Sequence, residues 1–236
     1  LCHAELAQPG EVETNLKGKV TDPWPVIVWL HPGDFRVGAA NFWDGSALAV
    51  KQKVIVVTLG FRLGIFGFLT TLDNEIPGNN GLLDQVAALD WVQRNIQLFG
   101  GAPSKVLLAG HGAGGISVGL HLVSPLSAGK FSHAIAMSGS ALAPHALQRK
   151  KVQANLIDSL AVELGCHRTP TSDLRSCLQQ IDTSVLPFPG IPCSTDRCKE
   201  RPGDVMLGRL CCRGDSSLGT SGLRRGVERQ ARDYVR

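Results

Sequence analysis

The chain has 236 residues, 43% of them hydrophobic, and a mean hydropathy of +0.05. That is enough for one domain with a sizeable core, and no apolar run reaches the length of a membrane span. The net charge is +4, but it is unevenly placed. From Arg197 to Arg236 there are ten Lys and Arg against five Asp and Glu, and the remainder has fourteen against fifteen. The basicity therefore belongs to the tail. No basic stripe with interleaved aromatics is present, which argues against nucleic-acid binding.

Residues 1–25 are polar and carry Pro9, Gly10, Pro23 and Pro25, so a frayed strand remnant and a loop are expected. Val26-Ile-Val-Trp-Leu30 is a short apolar run rich in β-branched residues, which predicts a strand buried on both faces. A turn follows at His31-Pro-Gly-Asp-Phe35, then a short helix over 43–53 with Asp44 or Ser46 as its cap. Val54-Ile-Val-Val-Thr-Leu59 predicts a second buried strand, and 62–80 a long glycine-containing loop. Over 82–99 a helix is expected, because Leu82, Val86, Leu89, Val92, Ile96 and Phe99 form one stripe. Gly100, Gly101 and Pro103 stop it.

Strands at 106–109 and 134–137 and helices at 113–122, 152–164 and 173–181 complete the pattern, with Gly165 as a C-terminal cap. Buried strands alternating with helices imply an α/β class with a mostly parallel sheet flanked by helices. Beyond Pro187 no period is sustained. Residues 187–236 are expected to be a disordered or non-native basic tail. No methionine opens the chain and no signal peptide is visible, so a fragment is expected.

The stretch Lys105-Val-Leu-Leu-Ala-Gly-His-Gly-Ala-Gly-Gly115 carries the chemistry. It reads as strand, sharp glycine turn and helix, the frame of the G-x-S-x-G nucleophile elbow of the α/β-hydrolase fold. Gly110 and Gly114 occupy the flanking positions, but Gly112 stands where a hydrolase has its serine. Glycine has no side chain to attack a carbonyl. His111 as a substitute nucleophile or base is weighed against a structural histidine, and the latter is favoured. Trp29, Trp43 and Trp91 read as packing residues.

Several linked stretches then resemble the type-B carboxylesterase and cholinesterase family, in that family's order. Trp29-Leu-His-Pro-Gly-Asp-Phe35 is similar to its His-Gly-Gly-Gly-Phe oxyanion segment, and Phe61-Arg-Leu-Gly-Ile-Phe-Gly-Phe-Leu69 to its Tyr-Arg-Leu-Gly stretch. Pro77-Gly-Asn-Asn-Gly-Leu-Leu-Asp-Gln85, Ala88-Leu-Asp-Trp-Val92, Asn95-Ile96 and Phe99-Gly-Gly101 resemble its most specific signature. Ser124-Pro-Leu-Ser127 and Ser138-Gly-Ser140 also fit. The likeness covers roughly residues 26–180 and implies a truncated α/β-hydrolase domain over 26–186, after a partial leading segment at 1–25.

The resemblance assigns oxyanion-binding N–H groups to Gly33, Asp34 and Ala113. Asp34 replaces a family glycine and brings a carboxylate close to where negative charge would form, and Pro32 replaces another and has no N–H. The family's acid and histidine lie well downstream of the elbow, whereas His121, His133, His145 and His167 fall too early. The chain is therefore expected to be catalytically inactive, without cofactor or metal. Gly112→Ser alone is expected not to restore activity, because Asp34 remains.

The family's cholinesterase-like adhesion branch, of the neurotactin, neuroligin and glutactin type, suggests an extracellular or cell-surface protein that binds a protein partner. A membrane anchor outside this chain is compatible with that reading. The alternative is a carboxylic ester hydrolase acting on a small ester, represented by a defective or incomplete sequence.

Seven cysteines sit at 2, 166, 177, 193, 198, 211 and 212. The resemblance pairs Cys166 with Cys177, gives Cys2 a partner upstream, and implies the secretory pathway. The spacing of Cys193, Cys198, Cys211 and Cys212 matches no common zinc pattern, and the tripeptide Arg213-Gly-Asp215 is too short to carry weight.

Overall fold

The computed structural model describes residues 2–5 and 22–183. Five strands form one sheet: β1 (Cys2–Glu5), β2 (Trp24–Leu30), β3 (Ile55–Leu59), β4 (Gly101–His111) and β5 (His133–Met137). Their spatial order is β1-β3-β2-β4-β5, with β1 antiparallel to β3 and the other four strands parallel. The helices are α1 (Ser46–Gln52), α2 (Gly64–Phe68), α3 (Asn80–Asn95), α4 (Ala113–Val123), α5 (Lys150–Glu163) and α6 (Thr171–Gln180). This is the expected α/β architecture, an α/β-hydrolase portion with a mostly parallel sheet. The readings of Cys193, Cys198, Cys211 and Cys212, of the Arg213-Gly-Asp215 tripeptide and of the tail fall outside the described residues.

The central strands form where β-branched residues are concentrated. β2 lies between β3 and β4, and Val26 pairs with Ile55 on one side and Val106 on the other. Val26, Val28, Leu30, Val57, Val106 and Leu108 are fully or almost fully buried and join the α3 stripe of Leu89, Val92 and Ile96 in one core. Complete burial of each such side chain contributes about 1.5–3 kcal/mol. The two motifs at 61–69 and 77–85 are tied by charge. Arg62 donates through Nε and Nη2 to Asp84 at 2.8 and 2.7 Å, and its backbone N–H donates to the same carboxylate at 2.9 Å. Burial alone would raise the Asp84 pKa, but the Arg62 hydrogen bonds and charge outweigh it and hold the carboxyl below its ordinary value.

A second apolar cluster joins α5 and α6 to Leu69. Cys166 and Cys177 are disulfide-bonded across it, as the resemblance implied. Closing a loop of this length restricts the unfolded chain by about 3 kcal/mol. α5 ends in a Schellman turn: Gly165 has φ +67°, its N–H donates to the Val162 carbonyl, and the Cys166 N–H donates to Ala161.

Three local expectations need correction. The segment 62–80 is not all loop: it contains α2, a five-residue turn fixed by the Gly64 N–H donating to Phe35 O at 2.7 Å. The N-cap of α1 is Gly45, and Asp44 instead accepts the Ser46 N–H at 2.8 Å. β4 begins at Gly101, because Trp24 pairs with Gly101 and extends the strand through Pro103.

β5 differs from the other parallel strands in exposure. Ile135 is 45% and Met137 39% exposed, although the strand is an apolar run. It forms one edge of the sheet, and an apolar, unpaired edge is a template for strand pairing. The isolated 236-residue chain is therefore expected to self-associate as its concentration rises. Ile135→Lys should shift sedimentation profiles towards monomer; unchanged association in the variant would place the contact elsewhere.

Candidate functional site

The strand order places a crevice at a definable point. From β2 the chain crosses to β3 on one side, whereas from β4 it continues to β5 on the other. Ligands of open α/β sheets bind outside the carboxyl ends of strands at such a switch point. The residues there are Pro32, Gly33 and Asp34 after β2, and His111, Gly112 and Ala113 after β4.

The elbow is built by backbones in contact. A Cβ on Gly114 would lie 2.0 Å from the Leu30 carbonyl oxygen, and one on Gly110 would lie 2.4 Å from the Gly114 carbonyl carbon. A Cβ on Gly139 would lie 2.1 Å from the Gly112 oxygen. All three positions require glycine. Gly112 itself has φ +55° and ψ −116°, a strained conformation for any residue with a side chain. It is held on both sides, with its N–H donating to Met137 O at 2.8 Å and its carbonyl accepting the Ile116 N–H at 2.9 Å.

The space beside Gly112 is open. A Cβ there would meet only Pro32 Cβ, at an ordinary 3.6 Å. The elbow and oxyanion segment are thus neighbours, as expected from sequence. The oxyanion segment follows an unusual path: Gly33, Asp34 and Phe35 have φ of +128°, +54° and +59°. The Arg36 and Val37 N–H groups both donate to Gly33 O, closing the turn, and Phe35 is buried edge-on against Phe68 at 5.0 Å. Among the described residues no backbone carbonyl accepts the N–H of Gly33, Asp34 or Ala113.

His31 supports this turn from below. It is buried, stacks on Phe61 at 4.5 Å and donates from Nδ1 to the Pro32 carbonyl at 2.8 Å. Burial lowers its pKa, so the ring is neutral. Asp34 is exposed on the turn.

No histidine joins Gly112 among the described residues. His111 is exposed beside it, His133 contacts Ser132, and His145 and His167 are exposed elsewhere. His121 is buried in a network that sequence reading missed. Its Nε2 lies 2.8 Å from Gln85 Oε1 and its Nδ1 2.8 Å from Ser127 Oγ, while Gln85 Nε2 donates to Ser117 Oγ at 3.3 Å. The signal for it was Gln85, a polar residue on the buried side of α3. Trp29 packs against Trp43 at 5.3 Å, and Trp91 against Phe99 at 5.7 Å, as packing residues.

The turn after β2 and the elbow after β4 thus meet at Pro32 and Gly112, and Gly112 brings no side chain to that point. A family model described as carboxylesterase family matches residues 12–187, well over half of the chain. The chain belongs to the carboxylesterase family. It is 47% identical over 156 residues to liver carboxylesterase 1 of Oryctolagus cuniculus, covering 66% of this chain and 27% of that protein. It is 47% identical over 157 residues to pyrethroid hydrolase Ces2e of Rattus norvegicus and 44% over 155 residues to carboxylesterase 5A of Homo sapiens, with the same coverages. The chain thus spans about a quarter of the length of these relatives. The similarity is to proteins named as esterases and hydrolases, which corrects the expectation of adhesion-branch kinship. That expectation rested on the departures at Pro32, Asp34 and Gly112, whereas the 156-residue match runs across the scaffold.

The elbow contacts predict an ordered set of glycine effects. Gly114→Ala should prevent native folding or cost at least about 4 kcal/mol, because its Cβ meets backbone that cannot give way. Gly112→Ala should cost about 1–3 kcal/mol, from its φ alone. Urea melts of the two variants compare them, and equal losses would mean that the elbow is not packed this way.

Proposed function

We propose that this chain supplies the elbow and oxyanion part of a carboxylic ester hydrolase, and that Gly112 leaves this form without the acyl-transfer step. One observation carries the reading: residue 112 is held at φ +55° and ψ −116° with open space where a side chain would project. A scaffold that forces strain on a residue, and leaves room for its side chain, is organised for a nucleophile. Glycine adopts the same backbone and brings no hydroxyl. The substrate class is a small carboxylic ester, and the acid and histidine of the reaction would come from outside this chain. The disulfide Cys166–Cys177 supports a secretory compartment.

A second reading, a binding protein of the cell surface, has Pro32 and Asp34 in its favour, because both weaken an oxyanion hole. Their weight is uneven. Pro32 removes one N–H, but Asp34 is exposed, where its charge is screened. That exposure removes the main reason for expecting Gly112→Ser to stay inactive.

The test uses the complete polypeptide with Gly112 and with Gly112→Ser. The serine form should be labelled at residue 112 by a fluorophosphonate and should hydrolyse p-nitrophenyl butyrate, while the glycine form does neither. Serine loss costs a triad hydrolase about 10⁶-fold in kcat, so even a partly restored site gives a large signal. A folded serine form that is neither labelled nor active overturns the hydrolase reading and favours binding. Equal turnover by both forms would remove residue 112 from the chemistry.

A further inference from the structure

The network around His121 has a direction. Gln85 Oε1 can only accept, so His121 Nε2 carries the proton and donates to it. His121 Nδ1 is then the acceptor for the Ser127 hydroxyl. Gln85 Nε2 passes the sequence on to Ser117 Oγ. Four side chains from α3, α4 and the turn after α4 are thus linked, and all four are buried.

One acidic proton would reverse the weakest point. A second proton on His121 goes to Nδ1, which must then donate to Ser127 Oγ. The Ser127 hydroxyl hydrogen is then displaced from the partner it has in the neutral form. A buried donor without a partner is costly, and so is a buried charge. Ser127 is the centre of the turn: its N–H donates to Ser124 O, and its carbonyl accepts the Lys130 N–H.

The surrounding charges add to this. Lys130 closes the turn and is the one ionisable residue in it; Asp90 on α3 holds its ammonium at 2.6 Å. α4 has no ionisable residue besides His121, and Asp84, beside Gln85 on α3, is engaged by Arg62. No carboxylate is left to welcome an imidazolium. Burial, reinforced by Lys130, lowers the His121 pKa from 6.5 to about 4. The folded form therefore favours neutral His121. Its stabilising effect is complete above pH 6.5 and is lost progressively as pH falls towards 4.

The same turn walls an apolar groove. Leu82, Leu83 and Val86 of α3 line it together with His121, Ser124 and Leu126. We propose that His121 is an acid-released latch: its protonation loosens the Ser124–Ser127 half of the turn, while Lys130 stays tied to Asp90 and Gln93 of α3, and opens the apolar groove that this half walls. The device does not depend on the reading of Gly112.

Hydrogen exchange of the 236-residue chain, followed from pH 7 to 3.5 and corrected for intrinsic rates, tests it. Protection of the amides of Ser124 and of residues 126–128 should fall progressively from about pH 6.5 towards pH 4, before that of β2 and β4. His121→Asn keeps an acceptor for Ser127 but cannot titrate, and should abolish the early step. Lys130→Gln removes the repelling charge, brings the folded-state pKa of His121 closer to its ordinary value and should therefore shrink the acid-induced loss of protection. If His121→Asn does not fold, Lys130→Gln and the NMR titration of His121 in the unaltered chain decide the matter. An acid-induced loss of unchanged size in Lys130→Gln, a His121 resonance that titrates near 6.5, or loss of the turn only together with the sheet overturns the latch.

Discussion

The arrangement of this site depends on backbone meeting backbone without side chains between. Gly110 and Gly114 let the start of α4 press against the end of β2, and Gly139 lets the segment after β5 press against residue 112. Each contact is closer than a Cβ would allow. The helix start, the oxyanion turn and the end of β5 are consequently brought to one place. Residue 112 is then fixed by its neighbours through the hydrogen bonds at its N–H and carbonyl. Its strained conformation belongs to the scaffold and does not come from the residue that occupies it. The backbone of the elbow is therefore set by its surroundings and not by a side chain at 112.

Much of this was legible in sequence because the relevant signals are local. β2, β3 and the buried half of β4 are runs of Val, Ile and Leu, and burial on both faces is what such runs require. α3 follows from one apolar stripe, and the end of α5 from Gly165. The elbow glycines could be read from spacing alone, since a tight strand-to-helix turn admits few alternatives. The pairing of Cys166 and Cys177 came only from family likeness, because spacing leaves connectivity open.

Other features are tertiary and leave little local trace. α2 has two glycines in five residues and no period; it is set by Phe35 and Phe68 packing and by one hydrogen bond from Gly64. β5 looks like a buried strand, since an apolar run does not say which of its faces will be covered. His121 sits on an apolar helix and meets Gln85 across 36 residues of chain. No short-range pattern announces such a meeting; the polar intrusion of Gln85 into the α3 stripe is its single trace. Subfamily was misjudged for a related reason. Three site residues can vary by single substitutions, whereas the scaffold match reflects many contacts at once.

The three departures at the site differ in magnitude, and that orders their consequences. Glycine at 112 removes the attacking group, which costs about 8 kcal/mol when a triad serine is lost. Proline at 32 removes a backbone N–H beside the three assigned donors Gly33, Asp34 and Ala113 but none of those donors themselves, so its cost is below the roughly 3–4 kcal/mol of losing an oxyanion donor. Asp34 adds a negative charge on an exposed turn. At about 4 Å in water two unit charges interact by about 1 kcal/mol, and salt lowers that further. The repulsion first inferred from Asp34 is therefore small beside the loss at residue 112. The path of the turn supports the same order. Asp34 lies in left-handed backbone between Gly33 and Phe35, yet the turn still closes on Gly33 O and Phe35 is still buried. Residue 112 is thus the point of the site where a strained backbone and open space meet a residue without a side chain.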